Sequence, residues 1–277
     1  MKLFSIIYFG VLMSVFAQVS CKEPIVTAEK YLEYKRIYGH IGDFKAPEIV
    51  LLCYQKSTME YLLKTHPGFE LCKEVTHLYL SEGKKIGILG DWGVGAPGLA
   101  IKMEELIALG VKRFIAIGIA GGLMNVHKIG DIVLCPKALA EDGVAHLYLN
   151  GERVVEADSE MIIDWQQFEK KKFLPAFAPA MAWSFSAIFR ETIEDVCRVQ
   201  EKGCSVVEME AATLYAIAKE KKVQALTLFV ISDSITEKEW IPRIRDQAVK
   251  SNLHVLADFA LEFCQLEVFK SFQDEHI

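Results

Sequence analysis

The 277-residue sequence predicts a single α/β domain with a mostly parallel sheet. Three observations carry that prediction. Short apolar runs with β-branched residues alternate with stretches of helical periodicity. Glycine-bearing turns join them as strand, helix, strand, the pattern of a βαβ unit. Hydrophobic residues make up 52% of the chain, enough for a substantial core at this length.

The elements follow in order. Residues 22–45 are a polar lead-in that holds a helix over 27–38. The run from Glu48 to Tyr54, β-branched at Ile49 and Val50 and bounded by Pro47 and Lys56, reads as a buried strand. Strands over 75–80 and 85–89 flank a Ser81-Glu82-Gly83 turn. A glycine-rich turn at 90–98 then leads into a helix over 99–109, which Gly110 ends. The run 114–119 is a buried strand closed by Ala120-Gly121-Gly122, and 131–134 is another. After a polar middle, residues 209–219 read as a helix, 224–232 as a buried strand, and 243–262 as a final amphipathic helix. Residues 46–277 thus form the domain.

Residues 1–21 stand apart. Lys2 precedes an apolar run from Leu3 to Val19, and small residues gather at Ala17, Ser20 and Cys21. That is the pattern of a secretory signal, and the run falls short of the ~20 apolar residues of a spanning helix. The sequence predicts export, secreted or periplasmic, with no stable membrane span. Cys21 is an alternative point of lipid attachment, although Gln18-Val19-Ser20 matches a lipobox poorly. The net charge of −6 comes from mixed signs without a basic stripe, which argues against nucleic-acid binding. Of the seven cysteines, Cys53 and Cys135 sit in strand-like runs as core thiols. No Cys/His spacing suggests a metal.

The glycine-rich turn lacks the Lys-Ser/Thr of a Walker loop and the spacing of a dinucleotide fingerprint. Its glycines serve a tight turn or the close approach of backbone to a ligand. Glu208-Met209-Glu210 is more unusual, with two carboxylates at the end of the apolar pair Val206-Val207, before a small-residue helix. Carboxylates there accept hydrogen bonds from paired ligand hydroxyls, or else cap the helix. Asp233, next to Ser232, ends a buried strand, where open α/β sheets place ligand-contacting groups.

Three stretches together resemble the nucleoside phosphorylase family, which includes uridine phosphorylases and methylthioadenosine/S-adenosylhomocysteine nucleosidases. They are Gly93-Val94-Gly95 with its helix and the Ala120-Gly121-Gly122-Leu123 strand end, Val207-Glu208-Met209-Glu210-Ala211, and Val230-Ile231-Ser232-Asp233. The resemblance runs from about Gly42-Asp43-Phe44 to the final helix. It implies a central mixed sheet flanked by helices, and a homodimer or an assembly of dimers whose neighbours complete each other's sites. It implies that Glu210, beside Glu208, holds the ribose 2′ and 3′ hydroxyls, that Met209 packs under the sugar, and that Asp233, beside Ser232, gives a proton to N7 of a purine. Uridine phosphorylases lack an acid there. Phe189 matches the family's aromatic against the base, with Phe185 in competition and a core role open to either. His40 matches a residue that reaches a neighbour's ribose 5′ oxygen, or is a surface histidine. Arg243 and Arg245 match the family's late arginine that assists the acid, or face solvent.

The implied activity is cleavage of the N-glycosidic bond of a purine nucleoside, with no cofactor and no metal and with phosphate as a possible co-substrate. The family's phosphate-binding residues are degraded here. Tyr54-Gln55-Lys56-Ser57 replaces a Gly-Asp-Pro loop, Thr58 stands where an arginine would, and Ala116-Ile117-Gly118-Ile119 replaces Arg-x-Gly-Ser. Lys56 or Lys73 would have to substitute. The nucleosidase glutamate is also missing, the next acid being Glu60. A phosphate-independent nucleosidase and a non-catalytic nucleoside-binding protein are the alternatives. The leader generates one prediction of its own: N-terminal sequencing of exported protein finds a start near residue 22, and a start at Met1 overturns it.

Overall fold

The structure is a computed structural model that describes residues 24–274, except 43, 124, 173, 175 and 237. The expected leader, Cys21 and Asp43 lie outside the described residues. In chain order the elements are α1 (Ala28–Ile37), β1 (Ile49–Cys53), α2 (Lys56–Thr65), β2 (Phe69–Leu71), β3 (Leu78–Ser81), β4 (Ile86–Gly90), α3 (Ala96–Ala108) and β5 (Arg113–Leu123). They continue with β6 (Ile132–Glu141), β7 (Val154–Glu156), α4 (Ser159–Lys171), β8 (Ala178–Phe185), α5 (Ile193–Glu201) and β9 (Cys204–Glu208). The chain closes with α6 (Ala211–Lys221), β10 (Gln224–Ile235), β11 (Trp240–Pro242) and α7 (Gln247–Asp274).

One mixed sheet joins all the described strands in the order β11-β10-β6-β8-β9-β5-β1-β4-β3-β2, with β7 on β6. Because β10 also pairs with β5, the strands β10, β6, β8, β9 and β5 close into a ring, and β1 to β4 extend outward from β5. The central and longest pairings are parallel, β4–β1–β5–β10 and β6–β8. Antiparallel pairs lie at β2–β3–β4, β5–β9, β6–β7, β6–β10 and β10–β11. Strands β1 and β4 are buried throughout, which is why they read as unbroken apolar runs rather than alternating ones.

Local chemistry sets the helix ends. Thr27, Asp158 and Thr192 cap α1, α4 and α5 by accepting N–H bonds from Lys30, Met161 and Asp195. Gly95, at φ 89°, precedes α3, and Pro97 occupies its first turn. Helix α6 packs on β6, β8 and β10, and α7 on β10, β1 and β5. Arg113 at the start of β5 bonds Glu267 near the end of α7. Around the sheet, Phe114, Trp165, Tyr215, Phe229 and Phe263 are fully buried. A smaller cluster forms about Trp183, Leu139 and Val207. Five of the six described cysteines are buried free thiols, and Cys197 is exposed.

Several elements differ from the sequence reading. The segment read as a polar middle holds β7, α4, β8 and α5. Strand β8, Ala-Pro-Ala-Met-Ala-Trp-Ser-Phe, has no β-branched residue, and its buried central residues lie between β6 and β9. The expected strand at 131–134 continues to Glu141 because Pro136 sits at a register shift, where a missing N–H is tolerated. Helix α2 was also unread. The final helix starts at Gln247, not at residue 243, because 240–242 add an edge strand to β10 and the Arg243 N–H bonds the Ser232 carbonyl at 3.2 Å. It then runs past residue 262 to Asp274.

Gly118 in β5 has no room for a side chain. A Cβ there would lie 2.6 Å from Cδ2 and 3.1 Å from Cβ of Tyr54. Gly118→Ala is therefore expected to displace Tyr54 and cost ~1–3 kcal/mol, as overpacking does. Urea unfolding measures it, and an unchanged midpoint refutes the tight contact.

Candidate active site

Residues at or just after the ends of β1, β5, β9 and β10 line a cleft of about 770 Å³. That volume suits a small organic ligand. The cleft floor is Ile119, Ala120 and Gly121 from β5 together with Val207. Tyr54 borders it with its ring stacked 6.2 Å from Phe229 and edge-on to Trp92 at 6.0 Å.

The end of β9 supplies two carboxylates with different surroundings. Glu208 is buried and accepts hydrogen bonds from the Ser184 hydroxyl and from the Glu210 and Ala211 N–H groups, both at 2.7 Å. It caps α6 and ties that helix to β8, so its oxygens are occupied by its own chain. Glu210, 8% exposed, accepts one N–H bond, from Gly95 at 2.6 Å, through Oε1. The side chain also lines the cleft. Burial pushes both carboxyls up, and the Glu210 charge adds to the rise at Glu208, while the N–H donors pull each back. Met209 lies between them in the cleft lining, its Cε under the Gly95 turn.

Asp233 lines the same cleft. In β10 the register against β5 shifts between Ile231 and Asp233, a bulge centred on Ser232. Bulges of this kind re-aim a side chain, and here the carboxylate turns toward the cleft. The Ser232 hydroxyl lies 2.6 Å from Oδ1, and the Trp240 indole N–H donates to Oδ2 at 2.7 Å. Gly121 sits opposite, and a Cβ there would come within 3.0 Å of Oδ2. Glu191, in the loop after β8, lines the same side of the cleft. Burial pushes its carboxyl up to about 7, and the nearby Asp233 charge adds to the rise.

The structure thus brings together Glu208, Met209, Glu210, Gly93, Ser232, Asp233 and Phe189. Phe189 is at the mouth and 96% exposed, whereas Phe185 stacks on Trp183 at 4.6 Å and is not part of the lining. Gly95 acts through its N–H on Glu210. His40 is exposed just after α1, away from this cleft. Arg243 is exposed beyond β11, and Arg245 lines an adjoining cleft of about 530 Å³ that shares Gln55, Ser57, Ile119 and Ile244 with the first. Lys56 borders the mouth, paired with Asp91 at 2.9 Å, and Lys73 does not line the cleft. Glu60 lies in the adjoining cleft.

Sequence reasoning missed Glu191 and Trp240. Each follows an unread turn or lies on an unread edge strand, and only the sheet carries them to Asp233. For Glu210 the geometry generates a prediction. Glu210→Gln keeps the shape but removes the charge that accepts ligand hydroxyls, a loss of ~1.5–3 kcal/mol per bond. Nucleoside affinity measured by calorimetry should fall with the melting temperature nearly unchanged. Equal affinity removes Glu210 from the ligand site.

The phosphorylase superfamily profile matches residues 46–264. A purine nucleoside phosphorylase DeoD-type of an Exiguobacterium species is 28% identical over 232 residues, covering 80% of this chain and 98% of the relative. Its counterpart from Mycoplasma pneumoniae is 33% identical over 184 residues, covering 64% and 75%. Among solved structures, the Toxoplasma gondii purine nucleoside phosphorylase superposes with a TM-score of 0.70 at 16% identity, covering 81% of this chain and 93% of that one. The AMP nucleosidase of Bacteroides thetaiotaomicron gives 0.66 at 18% identity, covering 87% and 99%. These two likenesses show the fold, with its mixed sheet and flanking helices, and the profile match gives the lineage: the chain belongs to the phosphorylase superfamily.

Proposed function

We propose that this chain cleaves the N-glycosidic bond of purine nucleosides in the cleft between Glu210 and Asp233. The observation that carries the reading is that both carboxylates line one cleft of about 770 Å³. Cleavage builds positive charge on the sugar and negative charge on the leaving base. The Glu210 carboxyl, which lines the cleft, accepts the ribose hydroxyls, with Met209 packed against the sugar. Glu208 holds the start of α6 in place and so fixes Glu210. On the other side a proton from Asp233 neutralises the base at N7, a contribution of ~10²–10⁴-fold. An acid at this place suits a purine, whose N7 takes the proton. The Trp240 indole and the Ser232 hydroxyl hold the carboxyl plane in position.

For the acceptor, the lining favours water over phosphate. Among the described lining residues there is no arginine, and the one lysine, Lys56, is engaged by Asp91. A phosphate dianion there lacks the guanidinium partners that bind it most strongly. At the end of β1, Tyr54 Oη, Gln55 Oε1 and Thr58 Oγ1 are buried without a protein partner. Buried polar atoms call for hydrogen bonds, and this neutral cluster suits a water. A second reading, phosphorolysis, is favoured by the phosphorylase relatives. Export, and assembly as a homodimer or an assembly of dimers, belong to the proposal on the strength of the leader and the resemblance.

Incubating the protein with inosine, adenosine and uridine, with and without phosphate, separates the readings. Purine release without phosphate supports the nucleosidase. Release only with phosphate establishes the phosphorylase, and no release in either condition leaves a binding protein. Asp233→Asn should lower turnover of ordinary purine nucleosides by ~10²-fold or more and that of a 7-methylated nucleoside far less, since the latter leaves without a proton. Equal losses on both remove Asp233 as the acid.

A further inference from the structure

The cleft lined by Glu210 and Asp233 continues into the adjoining cleft of about 530 Å³, with Gln55, Ser57, Ile119 and Ile244 as their common wall. Residues of α2 and of the start of α7 line this second space. Val249 and Leu253 of α7 are buried there. The Tyr61 ring of α2 lies flat on the His254 ring of α7, with centroids 3.7 Å apart and planes at 5°. The Tyr61 hydroxyl also donates to Asp258 at 2.8 Å, and the other oxygen of Asp258 bonds the His66 ring at 2.8 Å. These contacts tie the two helices together, so the second cleft has a packed floor.

The two clefts differ in charge. Carboxyls dominate the first, and its one lysine, Lys56, is paired with Asp91. The second is lined by Lys64, Arg245 and Lys250 against a single carboxylate, Glu60. None of the three cations makes an ion pair among the described residues, whereas exposed lysines elsewhere do, such as Lys219 with Glu152 and Lys172 with Glu262. The chain has 37 acidic and 31 basic residues, so composition alone does not produce an unpaired basic trio. Nearby acids are engaged: Asp258 by Tyr61 and His66, and Asp246 beside Arg243 at 3.9 Å. A guanidinium and ammonium groups gathered on one cleft attract an anion, and they bond phosphate oxygens most strongly.

We infer that the adjoining cleft holds a phosphate monoester carried on the 5′ carbon of the purine nucleoside, so that the favoured ligand is a nucleoside 5′-monophosphate. This rests on the reading of the first cleft as the nucleoside site and deepens it. On that reading Glu210 takes the 2′ and 3′ hydroxyls and C1′ bears the base, which leaves the 5′ carbon as the sugar position free to carry a group. The ester reaches past the common wall to Lys64, Arg245 and Lys250. The chemistry at C1′ is unchanged: the bond to N9 breaks, water supplies the new bond, and the 5′ ester stays intact on the sugar. Free inorganic phosphate is the other source of the same anion, and it would enter the cleft without a nucleoside attached.

The test is calorimetric binding of 5′-AMP, 3′-AMP, adenosine and inorganic phosphate to the whole chain, as wild type and with Lys64→Gln and Lys250→Gln combined. Both lysines are exposed, and an unchanged melting temperature checks that the variant folds. Wild type should bind 5′-AMP at least tenfold more tightly than adenosine, and raised salt should shrink that advantage. The double variant should lose tenfold or more on 5′-AMP and far less on adenosine. Lys64→Arg with Lys250→Arg, which retains the charge, should keep the preference. For 3′-AMP, whose ester falls where Glu210 acts, no gain over adenosine is expected. If adenosine binds but 5′-AMP gains nothing, or if the double variant weakens both equally, the phosphate subsite is refuted and the nucleoside site stands. If inorganic phosphate speeds base release from adenosine and the double variant abolishes that effect, the cleft serves free phosphate and the inference is overturned. If neither adenosine nor 5′-AMP binds wild type, the reading of the first cleft falls and the subsite with it.

Discussion

The parallel pairing of β5 with β10 is the contact on which the rest of the molecule depends. It runs from Gln224 against Arg113 to Ile235 against Leu123, and it closes the ring. The pairing brings the ends of both strands to one place, and there the regular ladder breaks at Ser232. A regular strand alternates its side chains between faces, so a single extra residue changes which residue faces the cleft. The glycines of β5 make the break usable. Gly121 leaves room for the Asp233 carboxylate, and Gly118 leaves room for Tyr54. A side chain at either place would push out a residue that borders the cleft.

The same chemical group has four different settings in this one cleft. Glu208 is surrounded by donors from its own chain and holds a helix to a strand. Glu210 accepts the Gly95 N–H and lines the cleft. Asp233 is clamped by a hydroxyl and an indole. Glu191 has neither donor nor cation. Burial raises the cost of charge for all buried carboxyls, but donors offset it by different amounts. The number of donors, rather than the residue type, therefore sets how far each carboxyl is committed to its own chain.

The part of the cleft formed by β1 and β5 differs in chemistry from the part lined by carboxyls. The end of β1 and the floor of β5 line it with Tyr54, Gln55 and Ile119. These are neutral or apolar, and Lys56, the lysine of the lining, is paired with Asp91. An apolar, neutral wall disfavours a dianion and tolerates a water, because desolvating a doubly charged group without counter-charge costs far more than desolvating a neutral one.

The sequence by itself determined the βαβ core and the carboxylate motifs. Residues 48–54, 114–119 and 224–232 are apolar runs long enough to be buried strands in any context, and Glu208-Met209-Glu210 and Ser232-Asp233 are contiguous. Such features depend on local periodicity and spacing, which a linear reading captures. It could not find β8, whose alanines and proline carry no strand preference and whose place lies between two neighbours. Nor could it find β11, three residues long, whose register with β10 brings the Trp240 indole to Asp233. The start of the last helix was misplaced for the same reason: 243–246 have helical composition, but the sheet edge takes the backbone bond of Arg243 first. Glu191 lies 42 residues from Asp233 in sequence and shares its cleft only because β8, β9, β5 and β10 stand side by side in one ring. Tertiary structure decided these matters because each rests on a pairing between segments far apart in the chain, and local preference carries no information about a partner that distant.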